Sequence, residues 1–576
     1  MLGLAIAALL LAAELGTPLR AVENGATTAP TTIEDFALLD QHGRYHQLTA
    51  QADVPVVVVY IYQTGCPIAR QDLPTLATLA ADPASNARLL LLDPAPTDDR
   101  AAIIAETDGP APALPVLLDL SQVVARSMGV TRTGEALVIT TKDWRLVWRG
   151  PVDDRLGYGT QKAAATRNFL AEAIAAAAAG KPLPSDAPAA KGCLITFEQH
   201  PPADYARVIA PLLATHCTSC HAVGGAAPFA LNGHAQVKKH SAMISEVLRT
   251  RRMPPWGADA PGGTFVGDNV LTPAETAVLA AWVADGAPRG DGPDPLTTLA
   301  PASRDEWPLG MPDLIVECPP QQVPATGVLP YRRFTVPVTI PRDTWLRAYD
   351  LHPSERTVMH HGFAFAVPPG VAFKPGDPRF LGLDDFLADY VPGLGPITFP
   401  ADSARPLAQG TGLAFQLHYT TSGTAVTDHP RLGLYFSDHK PARQVHVASV
   451  KNLKFTIPPG VRDQPASGAL TTPTAVTLIG MSPHLHLRGS RMSFQAKLPD
   501  GSVRQLLSVP HYDLNWQMMY RPVTPLALPV GTVISCAGAW DNSRFNPANP
   551  DPTKTVHWGE QSWDEMFLGY LLYSTP

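Results

Sequence analysis

The chain is poor in charge, in cysteine and in long apolar runs. Only 16% of its 576 residues are charged, and the net charge of -7 is spread along the sequence. That distribution argues against nucleic acid as a partner. No apolar run reaches the length of a membrane-spanning helix, so no stable membrane span is expected. The N-terminus also lacks a basic segment, since nothing before Arg20 is positive. Leu2 to Ala13 is nevertheless a short apolar stretch closed by Glu14, the length of a signal-peptide core, and residues 1–21 are read as a signal peptide. A periplasmic or secreted protein is therefore expected. The 60 prolines and 44 glycines fit a loop-rich exported chain with much β structure. The length is too great for one core, so three or four domains are expected.

Two of the six cysteines fall in Cys217-Thr218-Ser219-Cys220-His221. C-x-x-C-H is the c-type haem attachment pattern: the thiols add to the two vinyl groups and the adjoining histidine is held under the iron. A disulfide or a zinc half-site is the competing reading. Downstream, Met253 precedes two prolines and suits the second axial position. Thr272 then caps a helix with Pro273 at its first position and Gly286 past its end. Residues 203–290 resemble class I cytochrome c domains. The resemblance implies an all-α domain carrying haem c on Cys217, Cys220, His221 and Met253, and supports export.

Residues 31–195 read as alternating strands and helices. Val54–Tyr62 is a β-branched and aromatic run suited to burial on both faces of a sheet. A helix is expected from Cys66-Pro67, then a strand at Arg88–Leu92 and a helix over Arg100–Glu106 capped by Thr97 and Asp98. A strand at Pro115–Leu120, a helix from Ser121, a hairpin over Ala136–Trp148 and a helix over Gln161–Ala179 ended by Gly180 complete it. This order resembles the thioredoxin-like fold of redoxins. Cys66 at a helix start gains thiolate character from the helix dipole. Two departures from active redoxins stand out: Ala69 replaces the second cysteine, and Thr133-Gly134-Glu135 replaces the cis-proline turn, removing a backbone contact beside the sulfur. Cys193 is a distant thiol that could resolve Cys66 or lock it as a structural disulfide. The departures favour a structural or docking domain over a working thiol oxidoreductase. Cys318 and Cys536 are the remaining pair, left open as a second disulfide. Residues 181–190 and 291–313 read as semi-stiff linkers that let the domains adjust their mutual position.

From residue 314 to 576 the pattern changes to period two, as in Phe334, Val336, Val338 and Ile340, or Leu413, Phe415 and Leu417. Short strands between Pro/Gly turns predict two antiparallel β-sandwiches in series. Histidines carry the chemistry here. His484 and His486 share one strand face and can share one metal, whereas His360 and His361 converge only at a strand end or a bulge. Imidazole suits copper, zinc and iron, and the thioether of Met566 tilts the choice toward Cu(I). His352, His446, His511 and His557 are read as hydrogen-bonded core residues, and Met481, Met492, Met518 and Met519 as core filler. Arg488, Arg491 and Asp541-Asn542 are left open between support of a site and the surface.

His360-His361, Gln416-Leu417-His418-Tyr419, His484-Leu485-His486 and Asp564-Glu565-Met566 resemble, in that order, the motifs of the type II, ascorbate-dependent copper monooxygenases that include peptidylglycine and dopamine hydroxylases. The resemblance implies one copper on His360, His361 and His418 that transfers electrons. It implies a second on His484, His486 and Met566 that is catalytic, the two facing each other across a wet cleft in separate domains. Ser482 stands where the peptidylglycine enzymes carry a carboxylate-holding arginine, so the substrate is an undefined small molecule. The first expectation is an exported monooxygenase that inserts oxygen from O2 into a C–H bond, its coppers reduced through the haem by an outside electron donor. A non-enzymatic copper and electron-transfer protein is the second, and a thiol peroxidase at Cys66 the third.

Overall fold

The computed structural model describes residues 31–259, 264–299, 307–374, 377 and 386–576. The expected signal peptide, residues 1–21, lies outside them. No helix among the described residues is long and apolar enough to cross a membrane.

The N-terminal domain is α/β. Its sheet runs Thr31–Thr32, β5 (Arg145–Gly150), β4 (Ala136–Thr140), β1 (Val56–Ile61), β2 (Ala87–Asp93), β3 (Val116–Leu118). β1 pairs parallel with β2 and antiparallel with β4. Alternate side chains of β1 enter two cores: Val56, Val58 and Tyr60 on one face, Val57, Val59 and Ile61 on the other. Burying each of these contributes about 1.5–3 kcal/mol. Helices α1 (Pro67–Ala81), α2 (Arg100–Thr107), α3 (Val123–Ser127) and α4 (Phe169–Ala179) accompany the sheet. α2 is capped by Asp99 rather than Thr97 or Asp98. α4 starts at Phe169, eight residues later than expected, because the Asn168 side chain accepts from Ala171 N–H and caps it there. The preceding residues fold onto Asp154, which accepts from the Thr166 and Arg167 backbone.

Residues 203–290 hold α5 (Ala210–His216), α6 (His234–Lys239), α7 (Ser241–Arg249) and α8 (Pro273–Ala284) around Tyr205, Leu213 and Trp282. Thr272 and Glu275 close a reciprocal capping box at the start of α8.

The C-terminal region is all β, and its two sandwiches are not separate. One nine-stranded sheet runs through both, because Ser403–Leu407 pairs parallel with Arg443–Lys451 at Ser403↔Arg443 and Ala404↔Gln444. Each half of this shared sheet is faced by its own four-stranded sheet. The first comprises β6 (Arg332–Thr339), β9 (Gly412–Tyr419), β7 (Met359–Val367) and β8 (Ala388–Tyr390). The second comprises Gln464–Thr471, Val533–Trp540, Gly489–Lys497 and Val503–Val509. Two further shared-sheet strands matter below: β10 (Val476–His484) and β11 (Leu568–Thr575). Cys318 lies in the first sandwich core and Cys536 in the second, so they do not form the disulfide left open above.

The two stretches read as linkers are docked rather than free. Trp148 Nε1 donates to Pro184 O at 3.1 Å, and Leu183 and Ala187 pack on the N-terminal core. Asp294 accepts from Tyr205 Oη at 2.9 Å and His234 N–H at 2.7 Å, and Trp307 is buried. A few well-placed anchors hold segments that have no periodic apolar pattern. The domains are also tied to one another. Arg100 forms a two-pronged ion pair with Asp259, Arg462 pairs with Asp53 at 2.9 Å, and Tyr45 stacks on His511 at 4.0 Å.

Candidate redox and metal centres

Cys66 caps α1 with Pro67 behind it, and its Sγ lies 3.2 Å from Cys193 Sγ although the residues are 127 apart in sequence. Cys193 is brought there by a backbone pairing: Thr133 N–H donates to Cys193 O at 3.0 Å, and Cys193 N–H donates to Thr133 Oγ1 at 2.8 Å. The approach requires glycine at 192, where a Cβ would sit 1.8 Å from Thr133 O. Thr133 Oγ1 also lies 3.0 Å from Cys66 Sγ, so a hydroxyl supplies the contact that the missing proline turn was expected to remove. Burial alone would raise the Cys66 thiol. Hydrogen bonds from Ala69 N–H, Thr133 and Cys193 outweigh it and hold Cys66 below the ordinary thiol value. Cys193 moves up, chiefly through its hydrogen bond to Cys66, and then by burial. One sulfur is thus poised as thiolate and the other as thiol.

Cys217, Cys220 and His221 lie on one turn after α5, with His221 N–H donating to Cys217 O at 2.9 Å. Gly225 lets this turn close, because a Cβ there would strike Cys220 O at 2.1 Å. His221 Nδ1 bonds Phe229 O at 2.9 Å, which leaves Nε2 as the nitrogen that could serve as a ligand. Burial lowers the His221 pKa and favours the neutral ring that an iron needs. Met253 follows α7, half-buried. From it the chain runs onto the second sandwich, where Trp256 packs edge-on against Tyr520 at 5.1 Å. Cys220 abuts the first sandwich: a Cβ on Gly393 would lie 3.5 Å from its Sγ. Gly393 closely follows Tyr390, which pairs with Gly362, the neighbour of His361.

His360, His361 and His418 converge. His361 pairs with His418 across β7 and β9, and the register shifts between Met359 and His361. That bulge makes His360 the extra residue and turns adjacent side chains toward one point. One ligand atom from each of the three lies within 4.8 Å of the others. His360 Nδ1 and His361 Nδ1 are 3.1 Å apart. Two nitrogens about 2.0–2.1 Å from a shared tetrahedral ion would stand about 3.3 Å apart. His418 contacts the Leu329 backbone, yet its buried Nδ1 has no hydrogen-bond partner. Tyr331 roofs the set, 4.6 Å from the His418 ring. The residues present fit a metal ion.

His484 ends β10 opposite Leu568 of β11, and His486 follows in the turn, with ring centroids 5.3 Å apart. Glu565, fully buried, shapes this turn by accepting from His486 N–H at 2.9 Å and Arg488 N–H at 2.7 Å. Arg488, left open by sequence, is buried and donates to Asn542 Oδ1 and Trp563 O. Arg491 is a surface residue paired with Asp463. Asp541 N–H donates to Arg488 O, and Asn542 is fully buried. His486 Nδ1 bonds Asp564 O at 3.3 Å, and its buried Nε2 has no partner. Met566 is buried in the segment that leads into β11. Burial pushes the His418 and His484 pKa values down to about 4 and lowers those of His360, His361 and His486. Burial thus favours the neutral form of all five rings, the form that metal ligation requires.

The two histidine clusters adjoin rather than face each other across a wide cleft. The charged forms of His484 and His486 both disfavour a charge on His361. Between the clusters lies Gln517, buried and bonded to His484 Nδ1 through its amide oxygen, with Nε2 at 3.4 Å from His361 Nδ1. Sequence reasoning missed it because a lone glutamine in a loop carries no periodic or motif signal. Of the four histidines read as core, only His352 is fully buried. His446 is half-buried, and His511 and His557 are exposed, the first stacked on Tyr45 and the second with its Nδ1 near Thr456 Oγ1 and Phe455 O.

Comparison with known proteins places a family match in the N-terminal part. Among solved structures, a hypothetical protein from Sinorhizobium meliloti 1021 is 23% identical over 31% of this chain and 98% of its own, with a TM-score of 0.28. An uncharacterized conserved protein from Geobacillus kaustophilus is 22% identical over 32% of this chain and 100% of its own, with a TM-score of 0.27. Peroxidoxin BcpB from Mycobacterium tuberculosis is 22% identical over 20% of this chain and 82% of its own, with a TM-score of 0.19. No curated protein matches. Residues 30–148 match the AhpC/TSA family, and with the sheet order above this makes the N-terminal domain a thioredoxin-like redoxin domain.

Proposed function

We propose that the chain is an exported, copper-dependent monooxygenase fed by a fused c-type cytochrome domain. His360, His361 and His418 would hold one copper, His484, His486 and Met566 the second, and Cys217, Cys220, His221 and Met253 a haem c. The observation that carries this reading is the pair of buried imidazole nitrogens, His418 Nδ1 and His486 Nε2, in two adjoining histidine clusters, that make no hydrogen bond among the described residues. Copper bound there would supply one-electron redox chemistry and O2 activation, with two electrons and two protons converting R–H and O2 to R–OH and water. The chain's own part is to keep five imidazoles neutral, to exclude water by burial, and to favour Cu(I) through the Met566 sulfur. Cys220 against Gly393 gives the haem domain a short connection to the strand of His361. Ser482 is uncharged and buried, so the site offers no cation there to a substrate carboxylate.

Protein matured with haem should contain about two coppers per haem and consume O2 as the haem is reoxidised. A full haem complement without copper would sink the proposal. Two coppers with no O2-dependent turnover on any C–H donor would leave the non-enzymatic electron-transfer reading.

The 3.2 Å approach of Cys66 to Cys193 supports a second activity in the redoxin domain. The Cys66 thiolate would attack a peroxide oxygen, breaking the O–O bond to give the Cys66 sulfenic acid and releasing the alcohol, or water from hydrogen peroxide, after protonation. The Cys193 thiol would then condense with the sulfenic acid, releasing water and forming the disulfide, which an external dithiol reduces. Cys66→Ser should abolish peroxide consumption, and Cys193→Ser should limit it to about one turnover in a stopped-flow assay without added thiol. Consumption unchanged in Cys66→Ser would end this reading.

A further inference from the structure

We infer that Gln517 is a positioning residue that locks the two histidine clusters into one unit, fixing which nitrogen of His484 is offered to a metal and covering that of His361. This rests on the copper reading above. Gln517 belongs to the second sandwich, on the loop between the Val503–Val509 and Leu526–Leu528 strands, yet it reaches a histidine of the first. Its amide has one possible orientation. Nε2 donates to Leu514 O at 3.1 Å, and a carbonyl can only accept. The amide oxygen therefore faces His484 and accepts from its Nδ1–H. That places the His484 proton on Nδ1 and leaves Nε2 as its only lone pair. The remaining amide hydrogen points to His361 Nδ1 at 3.4 Å, the nitrogen that converges with His360 Nδ1. One loop thus touches ligand rings of both sandwiches, His484 and His361. An ion at His361 Nδ1 has to displace the amide hydrogen, while the amide stays anchored on Leu514 and His484. Occupation of the first cluster and ordering of the second are coupled through this one side chain.

The test is a copper titration of the full haem-loaded chain, stripped of copper, comparing wild type with Gln517→Leu and Gln517→Glu. The leucine variant removes the acceptor for His484 and should weaken the His484/His486 site about 10–100-fold, the cost of losing a supporting partner. The His360/His361/His418 site should stay within about 5-fold, since one weak covering contact is lost. The glutamate variant keeps an acceptor for His484 Nδ1–H and should restore the second site while donating nothing to His361. Two coppers bound by wild type with unchanged affinities in Gln517→Leu would overturn this inference alone. So would an equal loss at both sites that Gln517→Glu fails to restore. A wild-type chain that binds no copper would overturn the copper reading with it.

Discussion

His486→Ala is expected to lower the copper content from about two per chain to about one and to cut O2-dependent turnover by at least about 100-fold, beyond the cost of losing a mere supporting residue. The haem spectrum should be unaffected. The argument rests on how His486 is held. Its backbone N–H is fixed by Glu565, a contact that holds the turn without the imidazole, while Asp564 O orients the ring through Nδ1. What the ring offers is Nε2, buried and without a partner. A buried polar atom with nothing to bind costs about 1–3 kcal/mol, and such a group persists where something occupies it. Metal analysis of the purified variant, with an oxygen electrode, reads both effects. Two coppers retained in His486→Ala would remove this residue from the ligand set.

Glu565→Ala is expected to cost about 3–5 kcal/mol, from two orphaned backbone N–H groups and the cavity left behind. For a region of this size that is a fall of roughly 10 °C in Tm. The carboxylate is the one acceptor for His486 N–H and Arg488 N–H, and it sits beside Met566. This accounts for the acidic residue before the methionine in physical terms: it clasps the turn that carries His486, one proposed ligand, while its neighbour Met566 is another. Burial raises the Glu565 carboxyl from 4.5 to about 8. A folded pKa above the unfolded one contributes stability that is fully present below pH 4.5 and lost as pH rises through 8. Urea unfolding of wild type across that window should show the decline, and Glu565→Gln, which keeps an acceptor but does not titrate, should flatten it. A Glu565→Ala chain as stable as wild type would show that the turn is held by other means.

Much of the N-terminal domain is legible because its signals are local. The run at Val56–Ile61 is apolar on both faces, and Gly180 carries its capping information in the lack of a side chain, whereas the cap at Asn168 is hidden by the helix-forming residues that precede it. The docking of Cys193 on Thr133 is not legible, since it is set by a pairing 60 residues apart and by the absence of a side chain at Gly192. The convergence of His360 and His361 depends on a register shift that period-two patterning cannot foresee. A glutamine between two clusters becomes visible only when both are in place. The joining of the two sandwiches into one sheet is not legible for the same reason: strand pairing across Ser403–Arg443 links them, and nothing local in either strand announces its partner.

That pairing has a bearing on how such a chain can be assembled from parts. A cut between residues 437 and 443 looks, on paper, like the seam between two modules. It would strip Arg443–Lys451 of a neighbour and leave the pairing groups of Ser403–Ala404 bare, a ready template for aggregation. Either half alone would also give up histidines that its counterpart keeps in place through Gln517. The β region is therefore one unit of inheritance, not two.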